Sequence, residues 1–330
     1  MEEVNGCSGR SLPDEVLTSS QPLILRGLVA DWPLVKSAKK GPHEALADIG
    51  KYYQGKRVSL FLGEPEIKGR FFYNEEMTGF NFLQMEADLN DVLRKLKEFE
   101  NDDQAPAFYV GSTAVDRWLP GFRNENDIDL GDRDPLHSIW IGNRSRVAAH
   151  FDFPNNIACC VLGRRRFTVF PPEQLPNLYV GPMDLTPAGQ QISLVDFSAP
   201  DLKKFPKFSE ALASAQTAEL NPGDALYLPG MWWHHVEALD PINVLVNYWW
   251  TPSPEYLGSP ATALTHALLA IKELTPEQRQ AWHALFRYYA FEQPQDSLAH
   301  IPTSARGRLG EIDETTARRL RAELLNRLKQ

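Results

Sequence analysis

The sequence predicts a mainly β protein, an antiparallel sandwich or barrel with helical additions. Short β-rich runs, the turn residues that separate them, and helical patterns near the chain's end support this fold class. The 25 prolines and 21 glycines fall mainly before residue 260, in clusters such as Pro120-Gly121 and Pro222-Gly223. We therefore expect a domain at residues 1–260 that includes flanking strands and helices, followed by a C-terminal helical region at 261–330.

Six runs have the β-branched and aromatic composition of strands and are bounded by turn residues. They are residues 23–25, 58–62, 138–141, 166–170, 225–228 and 242–249. Such short, separated runs are typical of antiparallel sandwiches and barrels.

Helical spacing appears in three segments. Apolar residues three and four apart predict an amphipathic helix, or two short ones, within residues 81–98. Thr275, Pro276 and Gln278 have the pattern of a capped helix start, with the helix running towards Phe291. Residues 312–329 place an apolar stripe on a last helix. Such a stripe needs a partner surface, either the chain's own body or a second copy in a homodimer.

Composition limits the class of protein. The 330 residues are 43% hydrophobic and 23% charged, as in soluble globular proteins, and the net charge of −9 counts against nucleic acid or anionic membrane as a partner. No apolar run is long enough to cross a bilayer, and the first residues lack the order of a secretory signal. Three cysteines, two of them adjacent, give no disulfide framework. We expect a cytoplasmic protein.

Two histidines and one aspartate form the candidate metal site. His150 and Asp152 are two residues apart, so on a strand they would share one face. This pattern alone is weak, because about one such match is expected by chance in a chain of this composition. A turn, a short strand and two tryptophans precede His234, which supplies a third ligand. Two imidazoles and one carboxylate are the facial triad of non-haem Fe(II) oxygenases.

Four motifs carry a resemblance to a known family. They are Ala149-His-Phe-Asp152, the segment at 163–172, the segment at 222–234, and Asn247-Tyr-Trp249. Together they resemble the JmjC, or cupin-like, Fe(II)/2-oxoglutarate oxygenases, especially the hydroxylase branch that includes the asparaginyl hydroxylase that inhibits the hypoxia-inducible factor. The resemblance covers roughly residues 15–260. It implies a double-stranded β-helix, or jelly roll.

The resemblance also implies roles for individual residues. The iron ligands would be His150, Asp152 and His234. His234 is chosen over His235 because the family's ligand directly follows the aromatic pair, here Trp232-Trp233. His235 would then be a packed imidazole.

The cosubstrate residues follow from the same resemblance. Arg165 would bind the far carboxylate of 2-oxoglutarate, and Tyr109 would donate its hydroxyl to the same carboxylate. Asn156 and Asn247 match asparagines near the chelating end, and Trp249 shares a strand face with Asn247.

This chain departs from the family at two positions. Arg165 stands where the family has Lys, and Val147 stands where the hydroxylase branch often has Thr. Since a planar guanidinium and a compact ammonium are not equivalent, the pose or the identity of the cosubstrate could differ. A solvated basic edge is the alternative reading of residues 164–166.

The implied activity is hydroxylation of a protein or peptide side chain with Fe(II), 2-oxoglutarate and dioxygen. Demethylation, or oxidation of a small molecule, glycan or RNA, would use the same ligands. Two alternatives come from other classes: a cupin enzyme without 2-oxoglutarate, and a non-catalytic ligand-binding module. We expect the aromatic residues at 232, 233 and 248–250 to wall the pocket.

Overall fold

A computed structural model describes residues 1–292 and 297–329. The chain divides into two compact units, Met1–Pro252 and Ser253–Gln330. The strands of the first unit are β1 (Glu2–Val4), β2 (Leu23–Leu25), β3 (Val58–Gly63), β4 (Arg70–Phe71), β5 (Leu83–Ala87), β6 (Ala107–Ala114), β7 (Leu136–Gly142), β8 (Arg146–His150), β9 (Asn155–Leu162), β10 (Arg165–Phe170), β11 (Gln216–Leu220), β12 (Ala225–Leu228), β13 (Trp233–Ala238) and β14 (Asn243–Trp250).

Helices flank these strands and form the second unit. The helices of the first unit are α1 (Asp14–Leu17), α2 (Pro33–Lys40), α3 (Pro42–Tyr52), α4 (Leu89–Glu98), α5 (Val115–Trp118) and α6 (Phe208–Ser214). The second unit contains α7 (Pro260–Ile271), α8 (Pro276–Phe286) and α9 (Glu314–Leu328). None of the described helices combines the length and the apolar character that a membrane span requires.

Two sheets build the first unit. The larger has nine strands in the order β1-β2-β12-β9-β14-β7-β6-β3-β5, and the smaller has five in the order β11-β10-β13-β8-β4. Antiparallel pairing dominates, and β1–β2 and β4–β8 are parallel pairs. The mainly β, jelly-roll prediction with helical additions is confirmed.

Apolar side chains pack on both sides of the larger sheet. One cluster joins its outer face to α2, α3 and α4 through residues such as Val35, Ile49 and Leu93. A second cluster, which includes Phe167 and Leu245, contains residues of both sheets. Because strand side chains alternate between faces, the same strands supply both clusters. The second cluster positions the site, since some of its members also line the cavity described below.

The predicted strands all occur, as β2, β3, β7, β10, β12 and β14. The capped start of α8 is also confirmed: Thr275 Oγ1 accepts from the Gln278 N–H, and Gln278 Oε1 accepts from the Thr275 N–H. Helix α9 matches the predicted last helix. The sequence analysis did not predict α7.

The helix expected within residues 81–98 is partly wrong. Residues 83–87 form strand β5, and only α4 is helical, with Asp88 capping its first turn. The segment Leu83-Gln84-Met85-Glu86 alternates apolar and polar residues, which is the period of a strand. Pairing of β5 with β3 provides hydrogen bonds that the local helical spacing could not reveal.

Candidate metal centre and its pocket

A cavity of about 540 Å³ lies between the two sheets. Strands β3, β6, β7 and β14 of the larger sheet and β8, β10 and β13 of the smaller one contribute to its walls. All eight residues singled out from the sequence line this cavity: Tyr109, His150, Asp152, Asn156, Arg165, His234, Asn247 and Trp249. The fold thus collects side chains from distant parts of the chain around one space.

His150, Asp152 and His234 meet on the smaller sheet. His150 is the last residue of β8, and its Cα is paired with that of His234 on β13. Each residue offers one ligand atom, and the three atoms lie within 4.8 Å of one another. The expectation that His150 and Asp152 share a strand is wrong, because β8 ends at His150 and Asp152 lies two residues beyond it. The chain after the strand turns the carboxylate back towards both imidazoles.

Backbone hydrogen bonds orient both imidazole rings. His150 Nδ1 lies 2.9 Å from the Ala148 carbonyl oxygen, and His234 Nδ1 lies 3.0 Å from that of Trp232. Since a carbonyl only accepts, the Nδ1 of each ring carries a proton, so Nε2 is the nitrogen available to bind a metal. His234 Nε2 lies 3.7 Å from Asp152 Oδ2. Two electron-rich atoms that face each other at this distance fit a cation between them.

The electrostatics keep His234 in its ligand form. Burial lowers the pKa of His234 to about 4; repulsion from His150 adds to this effect, and attraction by Asp152 opposes it. Near neutral pH the ring is therefore uncharged, as metal coordination requires.

The loop before β13 holds the segment that carries Asp152. The Met231 N–H donates to the Asp152 carbonyl at 2.7 Å, and the Gly230 N–H donates to Asn155 Oδ1 at 2.9 Å. These bonds join the segment after β8 to the segment before β13. They fix the backbone of the carboxylate ligand relative to His234.

Arg165 is the buried cation of the cavity. Its side chain is 1% exposed, and among the described residues its Nε and Nη2 atoms have no hydrogen-bond partner. Burial lowers the pKa of Arg165, and the nearby Tyr109 and Cys160 oppose this. A guanidinium nevertheless stays protonated in proteins. A buried charge without a partner is costly, so an anion bound at this position would stabilise it.

The turn at Gly163 sets the face on which Arg165 lies. Gly163 has a φ of 69°, and a Cβ there would collide with Asn243 and with the Ile242 carbonyl. Arg164, which directly precedes β10, and Arg166 are partly exposed and lie 2.9 Å from Asp240 and 3.3 Å from Glu219, respectively. The reading of residues 164–166 as a solvated edge holds for these two residues and fails for Arg165.

Tyr109 provides a phenol in the same cavity. Burial raises its pKa to about 12, Arg165 opposes this effect, and Asp152 adds to it, so the hydroxyl keeps its proton at neutral pH. Its ring stacks on Trp140 with 5.7 Å between ring centroids. Gly111 leaves room for that indole, since a Cβ there would lie 3.3 Å from Trp140 Cζ3.

Further polar atoms of the cavity lack partners. Asn247 Nδ2 donates to Asn156 Oδ1 at 2.6 Å, whereas Asn247 Oδ1 is buried without a partner in the described structure. The indole nitrogens of Trp140 and Trp249 are also buried and unpaired there. Because buried polar groups are normally hydrogen-bonded, a polar ligand or an ordered water at these atoms would supply the missing partners.

The expected aromatic wall is largely wrong. Of the five residues proposed, only Trp249 lines the cavity; Trp232, Trp233, Tyr248 and Trp250 pack in apolar clusters. Strand alternation explains why Tyr248 and Trp250 face away from Trp249.

Other aromatic residues, which the sequence analysis did not identify, line the cavity. They are Phe61, Phe71 and Trp140. Alternation within residues 58–62 and 138–141 was the available signal, but it does not say which face is inward. His235 is buried and stacks on Phe197, with 4.5 Å between ring centroids.

The fold and the site together define a class of protein. In a jelly roll, two sheets enclose a buried guanidinium together with two imidazoles and one carboxylate that could hold a metal ion. The chain belongs to the cupin-like domain family, which matches residues 10–256 and includes the JmjC proteins. JmjC proteins are generally oxygenases that use Fe(II) and 2-oxoglutarate.

Several curated proteins are similar in sequence. HSPB1-associated protein 1 of Homo sapiens is 28% identical over 285 residues, which cover 81% of this chain and 56% of that protein. Lysine-specific demethylase 8 of Xenopus tropicalis is 25% identical over 72% of this chain and 50% of its own length. Lysine-specific demethylase JMJ31 of Arabidopsis thaliana is 32% identical over 45% of this chain and 28% of its own length. The chain thus spans little more than half of the first relative.

Proposed function

We propose that the protein is an Fe(II)- and 2-oxoglutarate-dependent oxygenase that hydroxylates a side chain of a protein or peptide. One observation carries the proposal: the same cavity contains three ligand atoms suited to a divalent ion and a buried guanidinium whose Nε and Nη2 have no partner among the described residues. A metal alone would explain the first feature, and an anion alone the second. A ligand that chelates the metal and also carries a second carboxylate explains both.

His150, Asp152 and His234 would hold the iron. Both imidazoles present Nε2 because Nδ1 is bonded to backbone, and the set leaves coordination positions open. With iron, 2-oxoglutarate and dioxygen bound, the site would supply the oxidation of a C–H bond. The chain's own contribution is to fix the three ligands and to place the cosubstrate and the substrate around them.

Arg165 and Tyr109 would bind the far carboxylate of 2-oxoglutarate. The Nε and Nη2 atoms of Arg165 have no partner within residues 1–292 and 297–329, and the phenol of Tyr109 keeps its proton. Two parallel donors on one guanidinium match a carboxylate. Arg165 would therefore replace both the Lys of the family and the hydroxyl that is lost at Val147.

Asn156, Asn247 and Trp249 would lie near the chelating end. Asn247 Oδ1 and Trp249 Nε1 are buried and unpaired in the described structure, so both have hydrogen-bonding capacity for ligand or ordered water. The hydrogen bond from Asn247 to Asn156 holds the two amides in one orientation.

A protein or peptide substrate is supported by the relatives. The human relative is named for its association with HSPB1, and others are named lysine-specific demethylases. Demethylation of a methylated lysine is the second candidate, favoured by the aromatic rings of Phe61, Phe71 and Tyr109 along the cavity, since such rings attract methylammonium groups. Demethylation would release formaldehyde, whereas hydroxylation leaves a stable product with one added oxygen.

We assign catalysis to residues 1–260 and dimerisation to residues 261–330. Helices α7 and α8 have no buried side chain, and apolar residues such as Leu269, Trp282 and Leu325 are exposed at 76%, 45% and 54%. An apolar helical surface of this kind supports pairing with a second copy. Light scattering should find a dimer that Leu325→Glu weakens; a monomeric unmodified chain would contradict this part of the proposal.

Succinate formation tests the proposed activity. The chain with Fe(II), ascorbate and 2-oxoglutarate in air should produce succinate slowly even without its substrate. Asp152→Ala should remove this turnover, whereas Asp31→Ala, a change at a fully exposed carboxylate, should not. Undiminished turnover in Asp152→Ala would refute the assignment.

A further inference from the structure

Strand β5 is an uncovered edge beside the cavity. It is the last strand of the larger sheet and pairs with β3 in an unshifted antiparallel register. In the described residues no other strand pairs with it. Alternate residues of an edge strand direct their N–H and C=O groups away from the single partner. The strand, Leu-Gln-Met-Glu-Ala, also lacks the lysine, proline or bulge that usually protects an edge.

The two faces of β5 differ in a way that suits recognition. Gln84 lines the cavity, and its Nε2 lies 3.3 Å from the hydroxyl of Ser59, which also lines the cavity. Leu83 and Met85 lie on the other face and are 66% and 46% exposed. One strand therefore presents a polar contact at the cavity, an apolar contact outside it, and edge backbone groups between them, of which the Glu86 carbonyl already accepts from Arg57 Nη2 at 3.1 Å.

We propose that β5 docks an extended polypeptide segment, which adds to the larger sheet as a further strand and carries the residue to be modified to the cavity. This inference rests on the proposed function, because it assumes that the cavity modifies a polypeptide. Backbone hydrogen bonds to a sheet edge provide affinity, and pockets for alternate side chains provide specificity. Gln84 connects the two surfaces, since it belongs to the docking strand and to the cavity wall.

The geometry determines a sequence preference. Neighbouring residues of a strand point to opposite faces. In the docked segment, the side chains on the same face as Gln84 are directed towards the cavity. The side chains of the residues between them lie on the other face, beside Leu83 and Met85. The residue to be modified should therefore have apolar residues immediately next to it.

A random decapeptide phage library provides the probe, panned on the full chain loaded with Mn(II) and 2-oxoglutarate. Enriched peptides should have apolar residues at alternate positions.

A synthetic copy of an enriched peptide should bind Leu83→Lys/Met85→Lys at least about tenfold more weakly than the unmodified chain, because cations replace the apolar contacts. Leu136→Lys is the matched control, since Leu136 is 55% exposed on β7, an interior strand of the same sheet, and it should bind normally. Hydrogen exchange at residues 83–87 should slow on binding.

Several results would overturn the docking surface. These are the absence of enriched peptides, equal affinity for the double variant, and protection of amides elsewhere but not at 83–87. A dimer that the double variant disrupts would show that a second copy occupies the edge, which would also overturn it. The charge-transfer band of iron and 2-oxoglutarate tests the proposed function independently of peptide binding. A chain that shows the band but binds no peptide refutes only the docking surface. A chain that binds peptide without the band refutes the proposed function.

Discussion

The two ends of the cavity have opposite electrostatic character. At one end, His150, Asp152 and His234 bring two imidazoles and a carboxylate together, with ligand atoms within 4.8 Å of one another, a set suited to a cation. At the other end, Arg165 offers guanidinium donors that have no acceptor in the described part of the chain, and Tyr109 offers a protonated hydroxyl. Each end would be costly to bury in this form, so each indicates a ligand. Here the polar groups that line the cavity say more about its ligand than the shape of the cavity does.

The largest effect is expected at the metal end. Asp152→Ala removes the only carboxylate of the three-residue group. Affinity for Mn(II), measured by isothermal titration, should fall by at least about a hundredfold, since even residues that only support metal ligands contribute 10–100-fold. If the variant bound Mn(II) as tightly as the unmodified chain, the metal end would be misassigned.

The next effect separates the two ends. Arg165→Met should weaken 2-oxoglutarate binding to the Mn(II)-loaded protein by about 10–100-fold, because it removes charge-assisted hydrogen bonds worth about 1.5–3 kcal/mol. Affinity for Mn(II) itself should stay within about threefold. Arg164→Met, at the exposed residue directly before the same strand, should change neither value. Equal losses of 2-oxoglutarate affinity in Arg165→Met and Arg164→Met would contradict the assignment of the buried Arg165 as the residue that binds the carboxylate.

Acidity should destabilise the metal-free protein through its buried histidines. Burial lowers the pKa of His234 to about 4 and that of His235 to about 3, so both are neutral when folded and protonate near pH 6.5 when unfolded. Unfolded chains then bind more protons, and the stability present above pH 6.5 is lost as pH falls towards the folded pKa values. Between pH 6.5 and 5.5 the free energy of unfolding should decrease by about 1 kcal/mol per histidine.

Urea denaturation of the metal-free chain at the two pH values measures this decrease. His235→Phe keeps a ring beside Phe197 and should reduce the decrease by about 1 kcal/mol. An unchanged pH dependence in the variant would mean that His235 does not remain neutral in the folded chain.

The smallest effect concerns the phenol. Tyr109→Phe keeps the stacking on Trp140 and removes one hydroxyl. The dissociation constant for 2-oxoglutarate should rise about fivefold, as expected for a hydrogen bond worth about 1 kcal/mol. No change would place the cosubstrate carboxylate beyond reach of Tyr109.

The sequence predicted much of this site because strand alternation is local and because its motifs resemble those of the JmjC oxygenases. It placed Arg165 on the opposite face from Arg164, and the motifs around His150 and His234 selected residues that line one cavity. It did not identify Phe61 or Trp140, because alternation groups residues by face without saying which face is inward. That choice depends on pairing between distant strands.

The same limit explains the error at β5. Residues 83–87 fit a helical spacing as well as a strand, and pairing with β3 decides between them. Asp152 was placed on β8 by sequence reasoning, yet it follows the strand's end and depends on the loop around Met231 for its position. Both errors concern contacts between segments far apart in sequence, which local patterns do not encode.

Anaerobic titration with Fe(II) and 2-oxoglutarate tests most directly whether both ends serve one ligand. We predict a weak visible charge-transfer band in the unmodified chain and in Arg164→Met, no band in Asp152→Ala, and a band in Arg165→Met only at about 10–100-fold higher 2-oxoglutarate. A band that forms equally in Arg165→Met, or no band in the unmodified chain, would contradict the account.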